Sequence, residues 1–212
     1  MDKGYGYESL KLLGSEHIAD ASGLTRKYMK IVLASNNQGK LAELQAMLTP
    51  LGCVLIAQGE LGVPEAPEPH RTFVENALAK ARNAALYTGL PGVDTAYYAT
   101  QFGYPKGDDN NVRALLEQMR NIENRRAALV STLVAVRSAD DPEPLIAVGR
   151  VVGQIAREPV GSNGFGFDPV MWIPEFGQTF AQLPIEVKNA NSHRGKSARA
   201  MSALIREHWL EA

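Results

Sequence analysis

Six consecutive residues near the start of the chain have the side chains and the backbone freedom needed to hold a phosphate group. They lie at a predicted strand-to-helix turn and are Ser35, Asn36, Asn37, Gln38, Gly39 and Lys40. The first amides of a helix are unpaired and carry a partial positive charge, so they attract anions. Gly39 allows close backbone approach and Lys40 adds a cation, although the spacing is not that of a P-loop. Taken alone, the segment fits a tight turn with a solvated lysine equally well.

An acidic loop and the helix after it supply carboxylates and a second lysine. Residues 63–71 contain three prolines and two glutamates, and Thr72 with Glu75 forms a capping-box pattern. Mg²⁺ binds through one or two carboxylates beside phosphate groups, which makes Glu68 a candidate metal ligand. Lys80 is a candidate phosphate contact, although a solvated lysine is the commoner fate of such a residue.

A glycine-rich aromatic segment over residues 161–169 has the chemistry to hold a base. Phe165 can stack on a purine, which is worth about 1–3 kcal/mol. The Asp168 carboxylate can accept a hydrogen bond from the N1 hydrogen that a 6-keto purine carries and adenine lacks. Gly166 and Phe167 belong to the same predicted pocket, because glycine frees the backbone to present its neighbours. The alternative is a structural turn with one of the two phenyl rings in the core.

Three donors in a predicted loop before the last helix suit the keto oxygen of hypoxanthine or xanthine. They are Lys188, His193 and Arg194. Against the amino group of adenine, the same donors would be left unpaired. The alternative is that His193 and Arg194 decorate the start of the helix. That alternative is disfavoured, because cations are unfavourable at a helix N-terminus.

Composition excludes several other classes of protein. The chain has 212 residues, of which 45% are hydrophobic, and a net charge of −1, which fits one globular domain. We expect no nucleic-acid partner, because there is no basic surplus, and no membrane partner, because no apolar run approaches the ~20 residues of a span. The single Cys53 excludes an internal disulfide and favours a reducing compartment. A cytoplasmic protein is therefore expected.

Strand and helix patterns alternate along the chain and predict an α/β fold. A strand at residues 30–35 is followed by a helix and by a second strand at 53–57. Two β-rich runs further on predict a long hairpin, and residues 199–209 are predicted as the C-terminal helix. Residues 1–28, before Met29, are predicted as a poorly ordered N-terminal extension.

The order of these motifs resembles the inosine triphosphate pyrophosphatase family, which removes deaminated purine triphosphates from the nucleotide pool. Gly-Phe-Gly-Phe-Asp-Pro at residues 164–169, with Ser-His-Arg-Gly at 192–195, is a specific combination. The resemblance implies hydrolysis of ITP, dITP and XTP to the monophosphate and pyrophosphate. It also implies a mixed β-sheet with flanking helices, two lobes around a nucleotide-binding cleft, a domain over residues 29–212, Mg²⁺ as cofactor and a homodimer.

Residue by residue, the resemblance assigns the candidates to the triphosphate, its metal ion and the base. Residues 35–40 match the triphosphate loop, with Glu68 as a metal-side carboxylate and Lys80 as a phosphate contact. Phe165 would stack on the base and Asp168 would bind its ring edge. Lys188, His193 and Arg194 would complete the base pocket.

One element of the family pattern is missing. Family members follow the Leu-Pro after the second helix with a strand that ends in Asp-Asp-Ser-Gly, and an aspartate there is the expected general base. Here Pro91 is followed directly by Gly92-Val-Asp-Thr-Ala, which matches a later family segment. A strand and a turn are therefore predicted to be absent between Pro91 and Gly92, and the catalytic residue is left unknown.

Three explanations for this gap are open. The sequence omits a disordered segment, the gene carries a deletion, or Asp94 substitutes for the missing carboxylate. The first is favoured, because the rest of the site is intact and the loss of a strand would expose unpaired backbone. The third is disfavoured, because a turn remnant seldom lands where a strand ended. A true deletion predicts a catalytically impaired nucleotide-binding relative, and a hydrolase without base preference is a weaker alternative.

Overall fold

Eight strands hydrogen-bond into one mixed sheet in the part of the chain that the structure describes. The computed structural model describes residues 15–19, 25–96 and 107–211. The strands are β1 (Ser15–Ala19), β2 (Thr25–Leu33), β3 (Cys53–Ala57), β4 (Gly92–Ala96), β5 (Arg126–Val136), β6 (Leu145–Ile155), β7 (Met171–Ile173) and β8 (Gln178–Thr179). The helices are α1 (Gln38–Leu48), α2 (Phe73–Thr88), α3 (Asp108–Gln118), α4 (Ile185–Asn191) and α5 (His193–Ile205). The mixed α/β fold predicted from the sequence is confirmed.

Strand β2 has different neighbours on its two edges. On one edge, β3 pairs with it in parallel from Met29 to Leu33. Met29 also pairs with Ser15 of β1, and Val32 also pairs with Gly92 of β4. Since a residue in a strand has only two edges, β1 and β4 lie end to end along the other edge of β2.

The predicted N-terminal extension is therefore partly in the sheet. Strand β1 and the first residues of β2 fall within residues 1–28, and their backbones pair antiparallel. Residues 1–14 and 20–24 lie outside the described residues. The sheet thus begins earlier in the chain than the apolar run at residue 30 indicated.

The long hairpin of β5 and β6 is confirmed. Its turn is closed by the buried Asp141, whose carboxylate accepts hydrogen bonds from the amides of Arg137 at 2.7 Å and Glu143 at 3.0 Å. Along β6, buried and exposed residues alternate, because helix α5 covers only one face of the strand. Helix α5, which carries His193 and Arg194, therefore packs on the hairpin.

Helix α2 packs closely on the sheet because its buried face consists of small residues. The face is formed by Ala77, Ala81, Ala84 and Ala85. The helix begins at the predicted cap, where the Thr72 hydroxyl accepts from the Glu75 amide at 3.2 Å. It ends at a glycine in the left-handed conformation, which is common at helix C-termini.

Two hydrophobic cores lie toward opposite ends of the sheet. The first packs β2, β3 and β5 against α1 and α5, and includes Ile31, Leu48, Leu133 and Ile205. The second surrounds β7 and includes buried Phe180. None of the helices within the described ranges has the length and apolarity needed to cross a membrane.

Helix α5 begins at His193, six residues before the start that the sequence predicted. The Ser192 hydroxyl caps it by accepting from the Gly195 amide at 3.0 Å. The first turn, His-Arg-Gly-Lys-Ser, is polar and contains no apolar residue whose spacing could reveal a helix. The predicted loop around His193 and Arg194 is therefore wrong, and Lys188 likewise lies in a helix, α4.

Strand β4 corrects the expectation that Gly92 to Ala96 is a turn remnant. The segment lies between β2 and β5, in parallel with the first and antiparallel to the second. Pro91 joins the ladder through its carbonyl, which accepts from the Val32 amide at 2.8 Å. Gly92 fits here because a Cβ at its position would collide with the Ala81 carbonyl of α2.

This close approach gives a test of the position of β4. We expect Gly92→Ala to lower the free energy of unfolding by about 1–3 kcal/mol, because the added methyl forces α2 away from the sheet. Chemical denaturation measures the change. Leu86→Ala, on the outer face of α2, is the control, because Leu86 is 70% exposed and its truncation leaves the contact between α2 and β4 intact. Equal stability of the two variants would contradict the register of β4.

Candidate functional site

The predicted phosphate loop is held in place by its own side chains. Ser35 is buried, and its Oγ accepts from the Asn37 amide at 3.2 Å. Asn37 caps α1, because its Oδ1 accepts from the Lys40 amide at 2.9 Å. Asn36 Oδ1 accepts from the Gly59 amide at 2.8 Å. The turn is thus organised before any ligand arrives, and the start of α1 is left facing outward at exposed Gln38.

Lys40 places a buried cation at the same end of the sheet. Its side chain is 7% exposed, and Nζ donates to the Thr95 carbonyl of β4 at 3.1 Å. Burial lowers the pKa of Lys40 to about 8, and the nearby Asp94 carboxylate opposes that fall. The ammonium therefore remains mostly charged at neutral pH and is less hydrated than a surface lysine.

Lys80 connects two carboxylates of unequal exposure. Its Nζ lies 3.2 Å from Glu68 Oε1 and 3.5 Å from Asp94 Oδ1. Burial acts to lower the pKa of Lys80, but the charges of Asp94 and Glu68 outweigh it and the pKa is raised. The Glu68 side chain is half exposed, whereas that of Asp94 is wholly buried. The loop, α2 and β4 therefore converge on one charged cluster.

Asp94 is a functional candidate that the sequence placed in the remnant of a turn, whereas the structure places it in strand β4. Its carboxylate is 0% exposed, and neither oxygen has a hydrogen-bond partner among the described residues. Burial raises the pKa of Asp94 to about 6, and the charges of Lys80 and Lys40 oppose the rise. Such a perturbed carboxylate beside a phosphate-binding turn is typical of a catalytic site.

A second cluster of charges surrounds the ring of Phe165. The guanidinium of Arg194 lies 4.2 Å from the ring centroid, and Lys188 Nζ lies 4.9 Å from it. Lys188 Nζ is also 2.7 Å from Asp168 Oδ2, which accepts from the Phe165 amide at 2.8 Å. The predicted base-binding residues are thus brought together, and the Asp168 carboxylate is already engaged within the loop.

Glu43 holds these cations in place, and the sequence analysis missed it. It lies on the second turn of α1, where Oε1 is 3.2 Å from Lys188 Nζ and Oε2 is 2.5 Å from Arg194 Nε. Since Lys188 is entirely buried, an uncompensated charge there would be strongly destabilising. In the sequence, Glu43 is only a glutamate within a predicted helix, and such residues are too common to mark one of them as part of a site.

His193 is kept neutral by its surroundings. The side chain is 3% exposed, and burial, followed by the charges of Arg194 and Lys188, lowers the pKa of His193 to about 3. Its Nδ1 is one of the buried atoms without a hydrogen-bond partner in the described part of the chain. A neutral imidazole can donate from one nitrogen and accept at the other.

The phosphate loop and the aromatic loop touch each other. A Cβ on Gly39 would lie 2.7 Å from Phe165 Cε1, so only glycine allows the ring to pack there. Gly166 is anchored separately, because its amide donates to Asp108 at 2.7 Å. Phe167 packs partly against the second core. The cavity beside Phe165 has a volume of about 20 Å³, which is room for one water and not for a purine.

The described residues offer no ready-made metal cage. No group of three or more histidine, cysteine, aspartate or glutamate side chains within them could hold a metal ion. Mg²⁺ does not need such a cage, because it usually keeps several waters and binds through one or two carboxylates plus substrate phosphates. Half-exposed Glu68 offers one such carboxylate at the phosphate end of the site.

A turn that can bind phosphate, adjacent to an aromatic pocket with fixed donors, defines a nucleotide-binding α/β protein. Residues 31–204 match the model of the Ham1 family, and the chain belongs to that family. The resemblance to the inosine triphosphate pyrophosphatases found in the sequence is thereby confirmed.

Similar proteins carry a consistent name. The dITP/XTP pyrophosphatase of Albidiferax ferrireducens is 75% identical over 199 residues, covering 86% of this chain and 100% of that protein. The dITP/XTP pyrophosphatase of Polaromonas naphthalenivorans is 70% identical, with the same two coverages.

Solved structures agree in fold. A HAM1 protein from Coxiella burnetii is 37% identical with a TM-score of 0.76, over 84% of this chain and 99% of that one. The Ham1 protein of Staphylococcus aureus is 30% identical with a TM-score of 0.73, over 84% of this chain and 98% of that one.

The match in length shows that this chain is shorter than its relative inside the shared region. Since 86% of 212 residues is about 182, about 17 of the 199 aligned positions have no residue in this chain. That is the length of a strand with a turn, which is what the sequence predicts to be absent between Pro91 and Gly92. The position of the gap stays a prediction.

The neutral state of His193 gives a testable dependence of stability on pH. Because its pKa is about 3 in the folded chain and 6.5 ordinarily, folding disfavours the protonated form. Its contribution to stability is present above pH 6.5 and is lost as the pH falls toward 3. Between pH 7 and 5.5, we expect the unfolding free energy of the wild type to fall by about 1 kcal/mol more than that of His193→Gln.

Denaturant titrations at the two pH values measure this difference. His208→Gln is the control, because His208 lies on the surface near the C-terminus and should leave the wild-type slope unchanged. Parallel slopes for the wild type and His193→Gln would show that the imidazole is not held neutral.

Proposed function

We propose that this chain hydrolyses deaminated purine nucleoside triphosphates, ITP, dITP and XTP, to the monophosphate and pyrophosphate. The observation that carries the proposal is the contact between Gly39 and Phe165, which joins a phosphate-binding turn to an aromatic base pocket. A nucleotide has the same two parts, a charged chain and a flat ring, separated by one sugar. The names of the similar proteins support the same reaction.

Preference for a 6-keto purine follows from the donors around Phe165. Arg194 and Lys188 can only donate, and both are fixed by Glu43. A keto oxygen accepts from such donors, whereas the amino group of adenine would face them with its own hydrogens. Neutral His193 adds a nitrogen that can donate or accept. The pocket therefore selects for deaminated bases by leaving donors unpaired when adenine is bound.

At the phosphate end, the chain supplies positive charge from several directions. The N-terminus of α1 contributes unpaired amides, and Lys40 and Lys80 contribute ammonium groups. Glu68 is the proposed metal-side carboxylate, because it is half exposed beside Lys80. Mg²⁺ bound there together with the substrate would neutralise phosphate charge and polarise the scissile bond. The protein's own groups orient the triphosphate along the turn.

Substrate preference is the direct test. We expect kcat/KM for ITP to exceed that for ATP by at least about 100-fold, because adenine leaves buried donors unsatisfied. Pyrophosphate release in the presence of Mg²⁺ measures both rates. Chelation by EDTA should abolish turnover, and excess Mg²⁺ should restore it. Equal rates with ITP and ATP would favour the alternative of a hydrolase without base preference.

The role of Glu43 can be tested separately from the chemistry. We expect Glu43→Gln to raise KM for ITP about tenfold with little change in kcat, because Lys188 and Arg194 lose the charged partner that positions them. Glu186→Gln is the matched control, since Glu186 is exposed on the same helix as Lys188. An unchanged KM in Glu43→Gln would remove Glu43 from the pocket.

The comparisons give no support to the alternative of a catalytically impaired binding protein, because the similar proteins are named as pyrophosphatases. A homodimer and a cytoplasmic location complete the proposal. They rest on the family resemblance and on the single buried cysteine. Light scattering on the purified chain measures the first, and a mass of one chain would contradict it.

A further inference from the structure

The segment that directly follows Pro91 takes a central place in the sheet. Strand β4 pairs with the carboxyl end of β2, and the Ala34 amide donates to the Val93 carbonyl at 2.9 Å. In open α/β sheets, ligands bind at the carboxyl ends of parallel strands. Asp94 is therefore one residue along from the contact that joins β4 to the phosphate-binding turn.

The register of β4 is fixed from both faces. On the α2 face, Gly92 lies against the Ala81 carbonyl, where no side chain fits. On the other face, Thr95 Oγ1 lies 3.2 Å from Ser131 Oγ, which accepts from the Ser197 hydroxyl of α5 at 2.9 Å. A slip of one residue would turn Asp94 into the hydrophobic core and Val93 toward Lys80. The position of Asp94 is thus determined by packing, not by its own bonds.

Other carboxylates near the site are occupied by hydrogen bonds. Glu43 binds both Lys188 and Arg194, and Asp168 is held by Lys188 and the Phe165 amide. Asp94 differs, because it is wholly buried and neither of its oxygens meets hydrogen-bond geometry among the described residues, which leaves it the Lys80 ammonium at 3.5 Å. A buried carboxylate without hydrogen bonds is destabilising, and such groups are retained mainly at functional sites.

Asp94 lies beside the two lysines proposed to contact the phosphates. The Lys80 ammonium lies between half-exposed Glu68 and buried Asp94, 3.5 Å from the Asp94 carboxylate. Lys40 Nζ donates to the carbonyl of Thr95, the residue next to Asp94, at 3.1 Å. A triphosphate held by these two ammonium groups would therefore lie next to the Asp94 carboxylate.

We propose that Asp94, which β4 places between β2 and β5, is the catalytic carboxylate that accepts the proton of the attacking water. The inference rests on the proposed pyrophosphatase function. The water oxygen bonds to a phosphorus atom beside the bridge between the α and β phosphates, and the bond from that phosphorus to the bridging oxygen breaks. The bridging oxygen keeps the electron pair, the water proton passes to an Asp94 oxygen, and the monophosphate and pyrophosphate separate.

The raised pKa of Asp94, about 6, agrees with this role. A carboxylate that titrates closer to neutrality accepts a proton more readily than one with an ordinary pKa. The Lys80 ammonium, 3.5 Å away, keeps the group ionised before the reaction.

Replacement of the carboxylate by an amide of the same shape tests the proposal. In Asp94→Asn, we expect kcat for ITP to fall by at least about 100-fold, while the affinity for ITP stays within about threefold. Steady-state kinetics and calorimetric titration with ITP measure the two quantities. The melting transition should remain cooperative with a modest fall in melting temperature, because Lys40 and Lys80 lose a compensating charge while the backbone of β4 stays paired. Asp140→Asn, at the exposed hairpin turn, is the matched control.

The possible outcomes separate this inference from the function on which it rests. A wild type that hydrolyses ITP together with an Asp94→Asn variant of similar kcat overturns the role of Asp94 and leaves the function standing. A wild type that binds ITP without hydrolysing it overturns both. Asp94→Ser is a second variant, and loss of the cooperative melting transition in both would assign Asp94 a structural role and overturn the proposal.

Discussion

The contact between Gly92 and the Ala81 carbonyl is the constraint on which the phosphate end of the structure depends. It allows α2 to lie close to the sheet and fixes β4 so that Asp94 faces Lys80. Lys80, in turn, fixes Glu68 at the end of the acidic loop. A side chain at position 92 would separate the helix from the strand, and the three charged groups would no longer converge. Backbone packing therefore determines the electrostatics of this half of the site.

At the base end, ion pairs between side chains determine how the helices pack. Glu43 reaches from α1 to cations on α4 and α5, which are remote from it in the chain. Buried ion pairs of this kind contribute little net stability, because desolvation offsets their attraction, but removal of one member leaves an uncompensated charge. The arrangement holds three helices in one geometry. It also places the Arg194 guanidinium and the Lys188 ammonium over the ring of Phe165.

Much of this arrangement could be predicted from the sequence. The turn at residues 35–40, the cap at Thr72 and the β5–β6 hairpin all have local signals, namely glycine, a capping box and alternating apolar residues. The grouping of Phe165 with Lys188 and Arg194 came from a motif whose members lie in separate elements. These features depend on neighbouring residues in the chain or on a family motif, and a single sequence shows both.

Other features had no local signal. The first turn of α5 is polar, so periodicity could not reveal it, and the Ser192 cap became meaningful only in three dimensions. Gly92 to Ala96 is short and contains an aspartate and a threonine, which made it look like a turn. It forms a strand because the backbone groups of β2 and β5 need hydrogen-bond partners, and those strands are separated from it along the chain. Glu43 was missed for the same reason, since its partners are more than a hundred residues away.

The ring of Phe165, packed against Gly39 and beneath Arg194, has a consequence for every ligand of this protein. The cavity beside the ring, about 20 Å³, is smaller than a purine, so a base that stacks on Phe165 requires the side chains around the ring to move. The affinity measured for a nucleotide therefore includes the free-energy cost of that movement. Inorganic triphosphate, which has no base, would bind without that cost.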